Sequence, residues 1–261
     1  MLKNFAYMIK ISPKVKKIEF KDRFKLIVLE DFLERNNFIE LQKNFPSDKY
    51  FKNINIFAHT LTNNESNFYE FLNKNETWKK FIEKIDSEEF IEDIIEIFNI
   101  KYVYSCNSSY KKFLPFFKKV KLDLTFNKSK KGSYSEPHTD VTRKIVSIVY
   151  FFTDDNWKKE DGGLVKLFKP IKKEDEENWR NKIIKENELE LIKTIFPKPN
   201  SLYGFKKTKN SYHGVSKVNC DNNKSRNVLM INLSYAENKD IPHNNDSLIE
   251  KVFRKIIKLI K

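Results

Sequence analysis

The sequence predicts an α+β fold with a mainly β core: a sandwich or barrel of short strands, braced by helices before it and one helix after it. Three observations lead there. Apolar residues recur at helical spacing through most of the first hundred residues. From about Lys119 the pattern changes to alternation and to a nearly continuous β-branched and aromatic run. The chain also holds 23 Phe and 11 Tyr against only 5 Gly and 8 Pro, which excludes a disordered or low-complexity polymer and leaves ample material for a core.

No internal repeat and no Gly/Ser-rich linker divides the 261 residues, so a single domain over 1–261 is expected. Its support, residues 20–115, reads as mainly helical. Asp31 to Phe45 places Phe32, Leu33, Phe38, Ile39 and Leu41 in a helical distribution and Pro46 stops it. Glu65 to Leu72 and Thr77 to Ile85 continue the pattern, and Asp86-Ser87-Glu88-Glu89 resembles a capping box opening a helix that carries Phe90, Ile91, Ile94, Ile95 and Phe98. The core, residues 119–237, reads as strands at Lys121 to Phe126, Ile145 to Phe152, Gly163 to Phe168, Leu191 to Phe196, Ser201 to Phe205, Tyr212 to Val218 and Asn227 to Tyr235. Between them Lys172 to Glu190 is charge-dense and helix-compatible, an insertion that is either a solvated helix or a lid. Residues 246–261 form an amphipathic basic stripe, which suits a terminal helix docked on its own domain, a membrane surface or a partner.

Lys and Arg number 50 and Asp and Glu 36, yet the excess is lysine spread from end to end. Reading phosphates and base edges favours guanidinium forks, and the chain has only Arg23, Arg35, Arg143, Arg180, Arg226 and Arg254, which argues against a nucleic-acid partner. Cys106 and Cys220 cannot make a disulfide framework. Lysines interrupt the first 17 residues, so no secretory apolar stretch forms, and nothing approaches the ~20 consecutive apolar residues of a membrane span. A cytoplasmic protein with reduced thiols is the expectation.

The chemistry concentrates on a few residues. In Pro137-His138-Thr139-Asp140, the positions two apart project to one face of an extended backbone, so His138 and Asp140 can converge. His213, in Tyr212-His213-Gly214-Val215, offers a third ligand from the strand-rich half. Two imidazoles and one carboxylate on one face of a metal leave positions open, as in non-haem Fe(II) oxygenases. Thirteen residues beyond His213, Arg226 opens the apolar run Asn227 to Leu233. An arginine at the mouth of a buried strand needs an anion, and its fork suits a carboxylate. Tyr150 can donate a hydroxyl to that anion or satisfy a core carbonyl, and Asn232, six residues after Arg226, shares its strand face. Asp123 and Thr125 share a face one strand earlier, and Trp157 sits in a loop expected near the cavity mouth. His59 and His243 have no ligand-like neighbours in sequence and read as structural.

Together, His138-Thr139-Asp140, His213 and Arg226 resemble the H-x-D…H…R signature of 2-oxoglutarate- and Fe(II)-dependent dioxygenases, and the flanking segments Lys144 to Phe152, Asp161 to Leu164, Pro199 to Phe205 and Val28 to Leu33 are similar to the prolyl-hydroxylase-like branch. The resemblance covers most of the chain and is firmest from Leu122 to Tyr235. It implies a double-stranded β-helix with Fe(II) on His138, Asp140 and His213, 2-oxoglutarate chelating the iron and pairing through its far carboxylate with Arg226, O2 as the other co-substrate and ascorbate as a candidate reductant. The implied reaction hydroxylates an unactivated C–H bond and releases succinate and CO2, on a prolyl or other amino-acid or protein side chain or on a small molecule. Related halogenases lack the carboxylate, so Asp140 favours hydroxylation.

Two alternatives stand beside this. A nucleic-acid dealkylating oxygenase of the same fold would usually carry a further arginine soon after the co-substrate arginine, and none follows Arg226 until Arg254. A non-catalytic ligand-binding barrel would be expected to have lost one of the four residues.

Overall fold

The computed structural model describes residues 12, 14, 16–20, 25–54, 58–101, 103–105, 118–172, 183–208 and 210–236. The strand-rich half forms two facing antiparallel sheets. In chain order its strands are β6 (Lys118–Ser129), β7 (Ser135–His138), β8 (Lys144–Phe151), β9 (Val165–Pro170), β10 (Leu189–Ile195), β11 (Leu202–Lys206), β12 (Tyr212–Val215) and β13 (Arg226–Tyr235). The major sheet runs β11-β8-β13-β6 and the minor sheet β10-β9-β12-β7, so the chain crosses repeatedly between layers in the manner of a jelly roll. Among the described residues no strand of one sheet pairs with the other, so the expected barrel is a two-sheet sandwich and not a closed cylinder.

The N-terminal part is less helical than its periodicity suggested. Among the described residues four α-helices are present, α1 (Arg35–Lys43), α2 (Ser66–Asn73), α3 (Glu76–Ile85) and α4 (Glu88–Ile97). Interleaved with them, β1 (Lys16–Phe20) and β2 (Leu26–Glu30) extend the major sheet beyond β11, while β4 (His59–Thr62), β3 (Asn53–Ile54) and the parallel β5 (Val103–Ser105) extend it beyond β6. The first helix starts at Arg35 and not at Asp31, because Asp31 takes positive φ and Phe32 and Leu33 bond to Asn200 instead of to a helical turn. The cap of α4 is Ser87, whose side chain accepts from the Phe90 amide. Phe90 occupies the place of the reciprocal Glu, so only half of a capping box forms. The C-terminal stripe 246–261, His243, Cys106 and residues 173–182 of the charged insertion lie outside the described residues, whereas Leu189 and Glu190 at the insertion's end belong to β10.

Two cores result. One fills the jelly roll between the sheets, with Phe151, Val165, Leu167, Phe205 and Val228. The larger lies between the helices and the outer face of the major sheet. Trp78 is its hub. Fully buried, it packs against Phe126 at 4.8 Å and Phe152 at 5.0 Å between ring centroids, and its indole N–H donates to the Leu41 carbonyl at 3.0 Å. Among the described residues no helix is long and apolar enough to cross a membrane. Trp78→Ala is expected to cost about 3–5 kcal/mol of unfolding free energy, read as a lower urea midpoint, because a ring this enclosed leaves a cavity and an orphaned carbonyl.

Candidate metal and co-substrate site

His138 ends β7 and lies directly opposite His213 on β12 in the antiparallel register, so both imidazoles leave the minor sheet on the same side. Their ring centroids are 4.5 Å apart. Asp140 joins them from the turn between β7 and β8, and the three ligand atoms lie within 4.8 Å of one another.

The surroundings prepare these atoms for a cation. His138 Nδ1 is 2.8 Å from the Glu136 carbonyl and His213 Nδ1 3.0 Å from the Ser211 carbonyl. A carbonyl only accepts, so each Nδ1 carries the proton and each Nε2 is left as a lone-pair donor. Burial, seconded by His138, lowers the His213 pKa to about 4, so this imidazole is neutral near pH 7. Burial works against an ionised Asp140, but Lys144, His213 and the Ser147 hydroxyl together outweigh it and hold the carboxyl well below the usual range. Two Nε2 lone pairs and one carboxylate suit a divalent metal.

These residues border a cavity of about 250 Å³ between the sheets, which also reaches Arg226, Tyr203, Val149 and Asn232. Arg226 begins β13 and is only 4% exposed. Its Nε–H donates to the Gly163 carbonyl at 2.8 Å, and its guanidinium lies over the Phe151 ring at 5.2 Å. No carboxylate among the described residues is within ion-pair distance of it. Burial draws its pKa down to about 10, so it remains a cation with donors to spare. Gly162 and Gly163 shape this end of the cavity. Both have positive φ, and a Cβ on Gly163 would stand 2.6 Å from the Arg226 side chain.

Not every residue singled out in the sequence faces this cavity. Tyr150 points the other way, into the helix-side core, where its hydroxyl donates to Asn200 Oδ1 at 2.8 Å. It is removed from the co-substrate position because Ser147, Val149 and Phe151 take the inner face of β8. Tyr203 on β11 lines the cavity instead, with burial raising its phenol pKa so that it stays a hydrogen-bond donor beside Arg226. Its alternation with Phe205 was the available signal. Asn232 does border the cavity, but six strand residues, about 20 Å, from Arg226, beside Ser147. Asp123 and Thr125 do not line it, and Asp123 is held by Arg143 at 2.8 Å. Trp157 is buried with Val218 and Cys220, and donates to the Gly162 carbonyl, bracing the glycine turn and not the mouth. His59 lies on β4, away from the triad.

Residues 124–234 match the model of the 2OG-Fe(II) oxygenase superfamily. No curated protein matches the chain. Among solved structures, a prolyl 4-hydroxylase from Phytophthora capsici shares the fold at 15% identity and a TM-score of 0.51, covering 90% of this chain and 67% of that one. A Pseudomonas putida prolyl-4-hydroxylase (12% identity, TM-score 0.44, covering 82% and 94%) and a Trichoplax adhaerens prolyl hydroxylase in complex with a hypoxia inducible factor peptide fragment (12%, 0.40, covering 80% and 83%) are also similar. The His-Asp-His cluster lies inside the matched segment, so residues 124–234 are similar to the 2OG-Fe(II) oxygenase superfamily in the part of the chain that carries the candidate site. That family's Fe(II) chemistry fits the cluster of His138, Asp140 and His213.

Two substitutions separate the cavity face from the helix face at this end of the major sheet. Gly163→Ala displaces the Arg226 side chain, so 2-oxoglutarate is expected to bind about tenfold more weakly while metal affinity is unchanged, both measurable by titration. Tyr150→Phe is expected to lower stability by about 1 kcal/mol in denaturant unfolding, without altering 2-oxoglutarate affinity.

Proposed function

We propose that His138, Asp140 and His213 hold the Fe(II) of this hydroxylase, and that Arg226 and Tyr203 receive the far carboxylate of 2-oxoglutarate. The observation that carries the co-substrate half is the buried Arg226 guanidinium, which has a carbonyl and a ring for company but no anion among the described residues. Leaving a cation so placed without a counter-charge is costly, and a dicarboxylate reaching from the triad into the cavity supplies one. When bound, the iron supplies the redox chemistry that couples O2 and the decarboxylation of 2-oxoglutarate to oxidation of a C–H bond.

The chain's own residues contribute geometry and charge. Arg226 offers its terminal N–H groups to the carboxylate while Gly163 holds its Nε. Tyr203 adds a neutral O–H donor from the neighbouring strand. The Ser147 hydroxyl fixes the Asp140 carboxylate in the rotamer that faces the two Nε2 atoms. Val149, Val228 and Met230 line the cavity with apolar surface and keep water from the co-substrate carboxylate. Asn232 and Lys144 bring polar groups to the triad end, where the group to be oxidised must arrive.

For the prime substrate, the reading is a prolyl or other amino-acid side chain, most simply within a peptide. The likeness in fold to a prolyl 4-hydroxylase and the resemblance of the flanking segments to the prolyl-hydroxylase-like branch support it. We take residues 119–237 as the catalytic core of a single domain and residues 20–115 as its support.

The test is an anaerobic titration of the metal-free protein with Fe(II) and then 2-oxoglutarate, following the visible metal-to-ligand charge-transfer band. Wild type is expected to give the band. His213→Ala is expected to lose metal binding. Arg226→Ala is expected to keep the metal and need roughly 100-fold more 2-oxoglutarate, the loss of a buried charge-assisted pair. A His213→Ala variant that binds iron normally and turns over would overturn the assignment.

A further inference from the structure

Both oxygens of the Asp140 carboxylate are engaged, and by different kinds of partner. The Ser147 hydroxyl donates to Oδ2 at 2.6 Å, and the Lys144 ammonium lies 2.6 Å from Oδ1. Asp140 is almost wholly buried, with its side chain 5% exposed, whereas that of Lys144 is 22% exposed and lines the same cavity. Lys144 follows Asp140 by four residues across the turn into β8, so the pair is built into the local chain and does not depend on a distant element. The nearest imidazole contact is looser, with His213 Nε2 4.0 Å from Oδ2. Arg143, next in the chain, is occupied by Asp123.

We propose that Lys144 is a built-in counter-ion for the metal site, one that holds the Asp140 carboxylate in the absence of metal and that a divalent cation must displace into the cavity. The proposal rests on the reading of the triad as a metal site. The physical argument concerns charge. An unpaired buried carboxylate destabilises the fold, so the metal-free protein gains by keeping an ammonium on it. A metal dication arriving at the triad meets that ammonium at near-contact distance, and the like charges repel. Lys144 therefore stabilises the empty protein at the expense of metal affinity, which makes metal uptake weaker and more reversible than the donor set alone would give. Its partial exposure lets the ammonium swing away without unfolding the turn.

The experiment is calorimetric titration of the metal-free protein with Mn(II), together with thermal unfolding of the metal-free and Mn(II)-loaded forms. Wild type, Lys144→Met and Lys144→Arg are compared. Lys144→Met is expected to bind Mn(II) about tenfold more tightly, to melt lower without metal and to gain more in Tm on loading. Lys144→Arg, which keeps the charge, is expected to bind no more tightly than wild type. If Lys144→Met does not fold without metal, Lys144→Gln retains a hydrogen-bond donor for Oδ1 and carries the same comparison. Equal or weaker Mn(II) binding by the uncharged variants, with wild type binding normally, would overturn the counter-ion role and leave the metal site standing. Absence of Mn(II) binding in wild type and every variant would overturn the metal site itself and the counter-ion with it.

Discussion

The major sheet is buried on both faces, and most of what distinguishes this protein depends on that constraint. Its inner face, turned to the minor sheet, carries the cavity residues, and its outer face is roofed by four helices around Trp78. A strand in this position serves two environments at a period of two residues. On β8, Ser147, Val149 and Phe151 face inward while Ile148 and Tyr150 pack against the helices. On β13, Arg226, Val228, Met230 and Asn232 face inward while Leu229, Ile231 and Leu233 face out. A slip of one residue in β13 would put Arg226 under the helices and leave the cavity without its cation.

The site concentrates buried charge, which is expensive unless offset. Asp140 is offset locally by Lys144 and Ser147. Arg226 is offset only by a carbonyl and the face of Phe151, leaving its terminal N–H groups for a ligand. One end of the cavity is thus self-satisfied and the other is poised for an anion. The minor sheet adds the histidines through a single cross-strand pair, and the carbonyls two residues before each imidazole set their tautomers. Precision at the triad therefore comes from backbone register, while precision at Arg226 comes from a glycine turn braced by Trp157.

Most of the donor set was readable in the chain because each signal is local. Alternation puts His138 and Asp140 on one face, and an arginine at the head of an apolar strand announces a buried cation wherever that strand lies. The strands of the core were readable for the same reason. The N-terminal strands were missed because Leu26 to Glu30 and His59 to Thr62 are short and embedded among helices, where pairing with the major sheet decides the conformation and propensity does not.

By itself, then, the sequence determined the class of fold, the three convergent ligands and the arginine, all of which follow from spacing along a few residues. The tertiary structure alone decided which aromatic attends the cavity. Apart from Ser147, Ile145 to Phe152 is a run of large apolar and aromatic residues because both faces of β8 are buried, so no regular alternation marks which face looks inward. Only the packing of helices on one side and the minor sheet on the other sends Tyr150 to Asn200 and leaves Tyr203 beside Arg226.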